Sequence, residues 1–125
     1  MYKFSDKGAI LVTGASGGIG AATVRQLCSA GGNVIASGRN TDQLHKLAKE
    51  TGCATLPFDL ASEEGVREAI EGLEVWGVVN CGGFGGEIAT PMDTDIDIFD
   101  KVISINARGA LLVTKYATQS MIRLG

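Results

Sequence analysis

The chain has 125 residues, 45% of them hydrophobic and 20% charged, with a formal net charge of -3. That length supports one α/β domain with its own core but not two. The acidic balance leaves no basic patch for nucleic acid or an anionic membrane surface, so neither kind of partner is expected.

Ala9–Thr13 is predicted as the first strand, an apolar run that ends in a glycine-rich turn. A helix follows over about 18–30, and Gly31 and Gly32 end it. Residues 33–37 read as the second strand. Asn40, with Gln43 three residues on, caps a second helix in which Leu44, Leu47, Ala48 and Thr51 recur at helical spacing until Gly52 closes it. Residues 53–58 form the third strand, Ser62 caps a helix with Val66, Ala69, Ile70 and Leu73 on one face, and Val75–Asn80 is the fourth strand. Beyond a glycine-rich loop, the pattern from Thr94 is helical, with Phe99, Val102, Ile103, Ala110, Val113 and Ala117 on one stripe and a bend near Asn106. Asn106 falls on that stripe, where a buried amide is costly unless bonded. Alternating strands and helices build βαβ units on a parallel sheet, and right-handed crossovers predict the order 3-2-1-4. The fold class is therefore α/β, a Rossmann-like doubly wound parallel sheet with flanking helices.

The first βα turn, Thr13-Gly-Ala-Ser-Gly-Gly-Ile-Gly20, has the layout of a dinucleotide site. Gly14 makes the tight turn out of the strand, Gly18 keeps no side chain between the backbone and a pyrophosphate, and Gly20 lets the helix pack close to the strand. Ser16, Gly17 and Ile19 complete the segment, whose helix N-terminus offers free N–H groups and a positive dipole end to phosphate. The turn has no Gly-Lys-Ser/Thr, which excludes a P-loop NTPase.

TGASGGIG resembles the TGxxxGIG turn of the short-chain dehydrogenase/reductase family. Further matches follow in order: Asp59, with Leu60 beside it, resembles the aspartate that contacts the adenine ring. Asn80-Cys-Gly-Gly83 stands where the family has Asn-Asn-Ala-Gly, bringing Asn80 and Gly82 to the cofactor, and Asn106 matches the catalytic asparagine. The resemblance implies a carbonyl or alcohol oxidoreductase working by hydride transfer on a small molecule, and a homo-oligomer assembled through the last helix.

At the end of the second strand an acidic residue would bond the ribose hydroxyls of NAD(H). Here the segment is Ser37-Gly-Arg-Asn40, with Gly38 at the acidic position and Arg39 next to it. A guanidinium pairs with a 2′-phosphate, and glycine removes the repulsion of an aspartate, so NADP(H) is favoured over NAD(H). NADP(H)-preferring relatives often carry a second basic residue just before Gly18, where this chain has Gly17. The same segment argues against a methyl transferase of this topology, which would want an acid there.

In the family a tyrosine protonates the substrate oxygen, a lysine four residues on lowers its pKa, a serine holds the oxygen and the asparagine orders a water. Of these only Asn106 is placed. Tyr2 and Tyr116 are the two tyrosines and neither begins a Tyr-x-x-x-Lys; Lys115 precedes Tyr116, which reads as a packing residue. Residues 1–125 are thus expected to be a nucleotide-binding domain incomplete at its C-terminus, inactive alone and poorly stable, because the fourth strand would have an unpaired apolar edge. The alternative is a non-catalytic NADP(H)-binding module.

Other features point to no metal. Asp93-Thr-Asp-Ile-Asp97 resembles the start of a calcium loop but has Ile98 where glycine is required, and reads as helix N-terminal charge. His45 reads as a surface residue. Cys28, Cys53 and Cys81 fit neither a disulfide framework nor zinc spacing, which suggests a reducing cytosol. Cys81 is expected near the cofactor as a small buried hydrophobe, with a redox-sensitive thiol as the alternative. The loop 82–86 is expected to be mobile, with Phe84 within reach of nicotinamide or substrate. The apolar run Ala9 to Val12 after Lys3 and Lys7 is too short for a signal peptide, and no stretch approaches a membrane span, so a cytoplasmic location is expected.

Overall fold

The computed structural model describes residue 4 and residues 6–125; Tyr2 and Lys3, named above, lie outside them. The elements in chain order are β1 (Ala9–Thr13), α1 (Gly18–Ser29), β2 (Val34–Ala36), α2 (Thr41–Thr51), β3 (Ala54–Thr55), α3 (Glu63–Ile70), β4 (Val75–Asn80), α4 (Ile96–Ile103), a π-helical segment (Ser104–Gly109) and α5 (Ala110–Leu124). The strands form one sheet of order β3-β2-β1-β4, every pair parallel, as the sequence predicts.

β1 is an unbroken apolar run because both its edges and both its faces are covered. In register, Ile10 lies opposite Val34 on one side and Gly77 on the other, and Val12 opposite Ala36 and Val79. Side chains alternate between faces. Ile10 and Val12 pack with Val24, Leu44 and Leu47 from α1 and α2, while Leu11 packs with Val66, Ile70, Leu112 and Val113 from α3 and α5.

The caps follow the sequence. Asn40 Oδ1 accepts from the Gln43 N–H at 3.1 Å, Ser62 Oγ accepts from the Gly65 N–H at 3.0 Å, and Gly52 ends α2 at a left-handed φ of 78°. Asp95 caps α4 through the Asp97 N–H at 2.9 Å, which gives the acidic run its helix-terminal role, and His45 is exposed.

Three segments depart from expectation. β2 spans three residues rather than 33–37, although the Ser37 N–H still bonds the Val12 carbonyl at 2.9 Å. β3 shrinks to two residues: it is the sheet edge, and Pro57 two residues later has no N–H to extend a ladder. The stripe expected from Phe99 to Ala117 breaks. Phe99 and Ile103 are half exposed, whereas Ile105, Gly109, Leu112, Val113, Tyr116, Ala117 and Ser120 are buried. The π-helical segment accommodates an extra residue, so the apolar stripe of α4, none of whose residues is buried, is out of phase with the buried face that follows. Tyr116 packs in the α3–α5 cluster, and Ser120 Oγ accepts the Val75 N–H at 2.8 Å, fastening β4 to α5. Among the described residues no helix is long and apolar enough to cross a membrane, and no group of three or more His, Cys, Asp or Glu is placed to hold a metal.

Candidate functional site

A cleft of about 300 Å³ opens at the carboxyl ends of the strands, where a doubly wound sheet presents its ligand site. Its walls come from all four strand exits: Thr13, Gly14, Ser16 and Gly17 after β1, residues 37–40 after β2, Phe58, Asp59 and Leu60 after β3, and residues 81–83 after β4, with Ile105 behind them.

The β1 exit is built by close approach. Gly14 has φ +63°, and a Cβ there would sit 2.6 Å from the Cys81 carbonyl group, so the turn is seated directly on the β4 exit. A Cβ on Gly20 would strike the Gly14 carbonyl, so α1 starts flush against the turn. Hydrogen bonds join the exits. The Ala15 N–H donates to the Ser37 carbonyl at 2.9 Å, and the Gly82 N–H donates to Thr13 Oγ1 at 3.0 Å. Gly17 is the N-cap of α1 and makes no side-chain cap bond, and the first turn holds no acidic residue. The N-terminal N–H groups and dipole of α1 thus remain for an anion.

At the β2 exit Ser37 is buried and Arg39 is exposed on the cleft wall, with no ion pair among the described residues. A Cβ on Gly38 would lie 2.9 Å from Ser16 Oγ, so any side chain there would require the Ser16 hydroxyl to turn away. At the β3 exit the Asp59 carboxylate accepts from the Ala61 N–H at 2.9 Å, which orients it. Leu60 is wedged in place: a Cβ on Gly82 would lie 2.5 Å from its Cδ1, and one on Gly109 would lie 2.9 Å from its Cβ.

Of the expected site residues, Gly14, Ser16, Gly17, Arg39, Asp59, Leu60 and Gly82 line the cleft. Gly18, Ile19 and Gly20 form the first turn of α1 below it, with Ile19 79% exposed. Asn80 does not line it. Its amide donates to Thr114 Oγ1 at 3.3 Å and ties β4 to α5.

Asn106 also stands outside the lining and, contrary to the buried stripe expected, is an exposed residue of the π-helical segment. Its side chain is fully engaged. Oδ1 accepts the Phe84 N–H at 2.7 Å and Nδ2 donates to the Phe84 carbonyl at 3.0 Å, the way a neighbouring strand would. The loop expected to be mobile is therefore pinned at Phe84, whose ring carries Lys101 Nζ 4.6 Å from its centre. Phe84 is not in the cleft wall; Cys81, half-buried, is.

Sequence reasoning did not assign Thr13, Ser37, Asn40, Phe58 or Ile105 to the site. The first four adjoin strand ends already read as strand exits, which was the signal available. Ile105 had none, because its direction depends on the π-helical phase shift.

A sequence profile described as short chain dehydrogenase matches residues 8–125. The chain belongs to that family. It is 37% identical over 112 residues to an uncharacterized short-chain type dehydrogenase/reductase of Sinorhizobium fredii, a match covering 90% of this chain and 45% of that protein. With the (+)-cis,cis-nepetalactol synthase of Nepeta racemosa it shares 34% identity over 126 residues, 92% of this chain and 46% of the synthase. A short-chain type dehydrogenase/reductase structure from Mycobacterium ulcerans superimposes with a TM-score of 0.90 at 27% identity, covering 98% of this chain and 49% of that one. The chain thus spans about half the length of the relatives it matches. Because a dehydrogenase/reductase and a synthase share this half, it does not by itself select a reaction.

Proposed function

We propose that the cleft binds NADP(H) and that the chain is the cofactor-binding part of an oxidoreductase acting on a small carbonyl or alcohol. The observation that carries the cofactor choice is Arg39, exposed on the wall at the β2 exit beside Gly38, where no carboxylate opposes a 2′-phosphate. The residues fit the group: the α1 N-terminus and the side-chain-free turn receive the pyrophosphate, and Asp59, oriented by the Ala61 amide, faces the adenine end. When bound, NADP(H) supplies the hydride exchanged with substrate. Gly82 leaves the β4 exit open to close approach. Asn106 holds the Phe84 loop, and its place in the family's proton relay is part of this proposal, as are a cytoplasmic location and homo-oligomeric assembly.

The 125 residues contain no Tyr-x-x-x-Lys, so the reading requires the general acid from outside them. That same observation favours a second reading, an NADP(H)-binding module without turnover. Intact mass of the protein in its source cells separates the two: a longer chain bearing Tyr-x-x-x-Lys supports the oxidoreductase, and a mass matching these residues alone supports the module.

Calorimetric titration tests the cofactor. NADP+ is expected to bind more tightly than NAD+, and Arg39→Ala to weaken NADP+ about tenfold, or roughly 1.4 kcal/mol, while leaving NAD+ unchanged. Equal wild-type affinities would refute the preference, and binding of neither would refute the site.

A further inference from the structure

The β3 exit carries Asp59 and Leu60 to the cleft, yet the sheet does little to hold it. β3 pairs over two residues, Ala54 with Ile35 and Thr55 with Ala36, and the Leu56 N–H makes a last bond to the Ala36 carbonyl at 2.9 Å before Pro57. Past that point residues 59–62 fold on themselves: the Ala61 N–H donates to the Asp59 carboxylate at 2.9 Å and the Ser62 N–H to the Asp59 carbonyl at 3.1 Å. These bonds set the shape of the turn but not where it stands relative to the other strand exits. That placement comes from the π-helical segment. Gly109 is buried, and a Cβ on it would lie 2.9 Å from Leu60 Cβ and 3.0 Å from the Leu60 carbonyl oxygen, so the helix backbone seats directly on Leu60. Next to it, Arg108 Nη1 donates to the Ala61 carbonyl at 3.4 Å and Nη2 to Glu63 Oε2 at 3.3 Å, while the Tyr116 hydroxyl donates to Glu63 Oε1 at 3.5 Å. One guanidinium thus spans the end of the β3 exit and the first residue of α3.

We propose that Arg108 is a positioning residue for the nucleotide: with Gly109 it fixes the turn 59–61 against the π-helical segment, so that the Asp59 carboxylate and Leu60 are already in place when the adenine end arrives. The role rests on the cleft binding NADP(H). Arg108 stands outside the cleft lining and acts through Asp59 and Leu60, which are in it. Its side chain and that of Glu63 are both about half exposed, so the ion pair adds little to global stability; its effect is local, on the one exit that the sheet leaves loose. Holding a binding loop in its bound position raises affinity by removing the cost of ordering it. Because adenine is common to NADP(H) and NAD(H), that gain is blind to the 2′-phosphate, in contrast to the gain from Arg39.

Calorimetric titration of Arg108→Ala with NADP+ and with NAD+ tests the role. Both affinities should fall by the same factor, about fivefold, at an unchanged urea midpoint. In an Asp59→Ala background the same substitution should cost less than about twofold, because the group it positions is gone. Amide exchange followed by NMR gives a readout without nucleotide: Arg108→Ala should speed exchange at Ala61 and Ser62 severalfold and leave Gln43, the comparable capped amide of α2, unchanged. Unchanged affinity for both nucleotides, a loss confined to NADP+, an undiminished loss in the Asp59→Ala background, or unchanged exchange at Ala61 would each overturn the proposal. A wild-type chain that binds neither nucleotide sinks the cofactor reading and this role with it, whereas wild-type binding that Arg108→Ala leaves intact sinks the positioning role alone.

Discussion

β1 and β4 are adjacent, parallel and comparably apolar in sequence, yet they end in different environments. Every residue of β1 is buried, whereas in β4 only Val75 is, the next four being half-buried and Asn80 exposed. β1 has a strand on each side; among the described strands, β4 pairs with β1 alone. The exposed apolar side chains of Ile96 and Phe99 in α4 lie in the segment that follows β4. The burial of an apolar strand is thus conferred by its neighbours rather than its composition. Polar fastening differs too. The exit of β1 is locked by bonds to its neighbours' exits, which makes the cleft, while β4 is held at its two ends by Ser120 and Asn80 reaching α5.

The sharpest way to break the comparison is to truncate one side chain on each strand and measure urea unfolding. Leu11→Ala should cost about 4 kcal/mol, because its pocket is fully enclosed, and half-buried Val79→Ala about 1 kcal/mol. Equal losses would mean that β4 is as well covered as β1. At the β1 exit, Gly20→Val should cost about 3 kcal/mol by forcing α1 off the turn, and should also abolish nucleotide binding in calorimetry. Retained binding would show that the close seating of α1 is not needed for the cleft. On the β4 side, Ser120→Ala leaves the buried Val75 N–H without its partner and should cost about 2 kcal/mol.

The smallest effect is expected away from both strands, at the exposed pair of Arg25 and Glu50, 2.7 Å apart. The hydrogen bond from Arg25, more than its charge, holds the Glu50 carboxyl below the usual carboxylate range. A carboxylate depressed on folding stabilises above its unfolded pKa, about 4.3, and that contribution fades as pH falls through the lower folded value. Arg25→Ala should therefore leave stability at neutral pH almost unchanged, and a large loss in the urea midpoint would show that the pair is not solvent-screened.

What could be read in advance was governed by short-range physics. The Asn40 and Ser62 caps, the Gly52 turn and the glycine segment 13–20 depend on hydrogen bonds and backbone angles within a few residues, and the strand order follows from the handedness of successive crossovers. The lining residues Gly14, Ser16, Arg39 and Asp59 followed because they sit at strand exits, which a parallel sheet brings to one edge. The remainder was decided by contacts between distant segments. The predicted order already put β3 at the edge, but not how short its pairing would be there, and nothing near Ser104 says that the helix will widen there. That widening turned Ile105 into the cleft wall, exposed Phe99 and set the Asn106 amide on the Phe84 backbone. Local sequence determined the elements, their order and the glycine turn at the β1 exit; only the packed structure decided which side chains from remote segments share a surface, because that depends on distances no sequence spacing encodes.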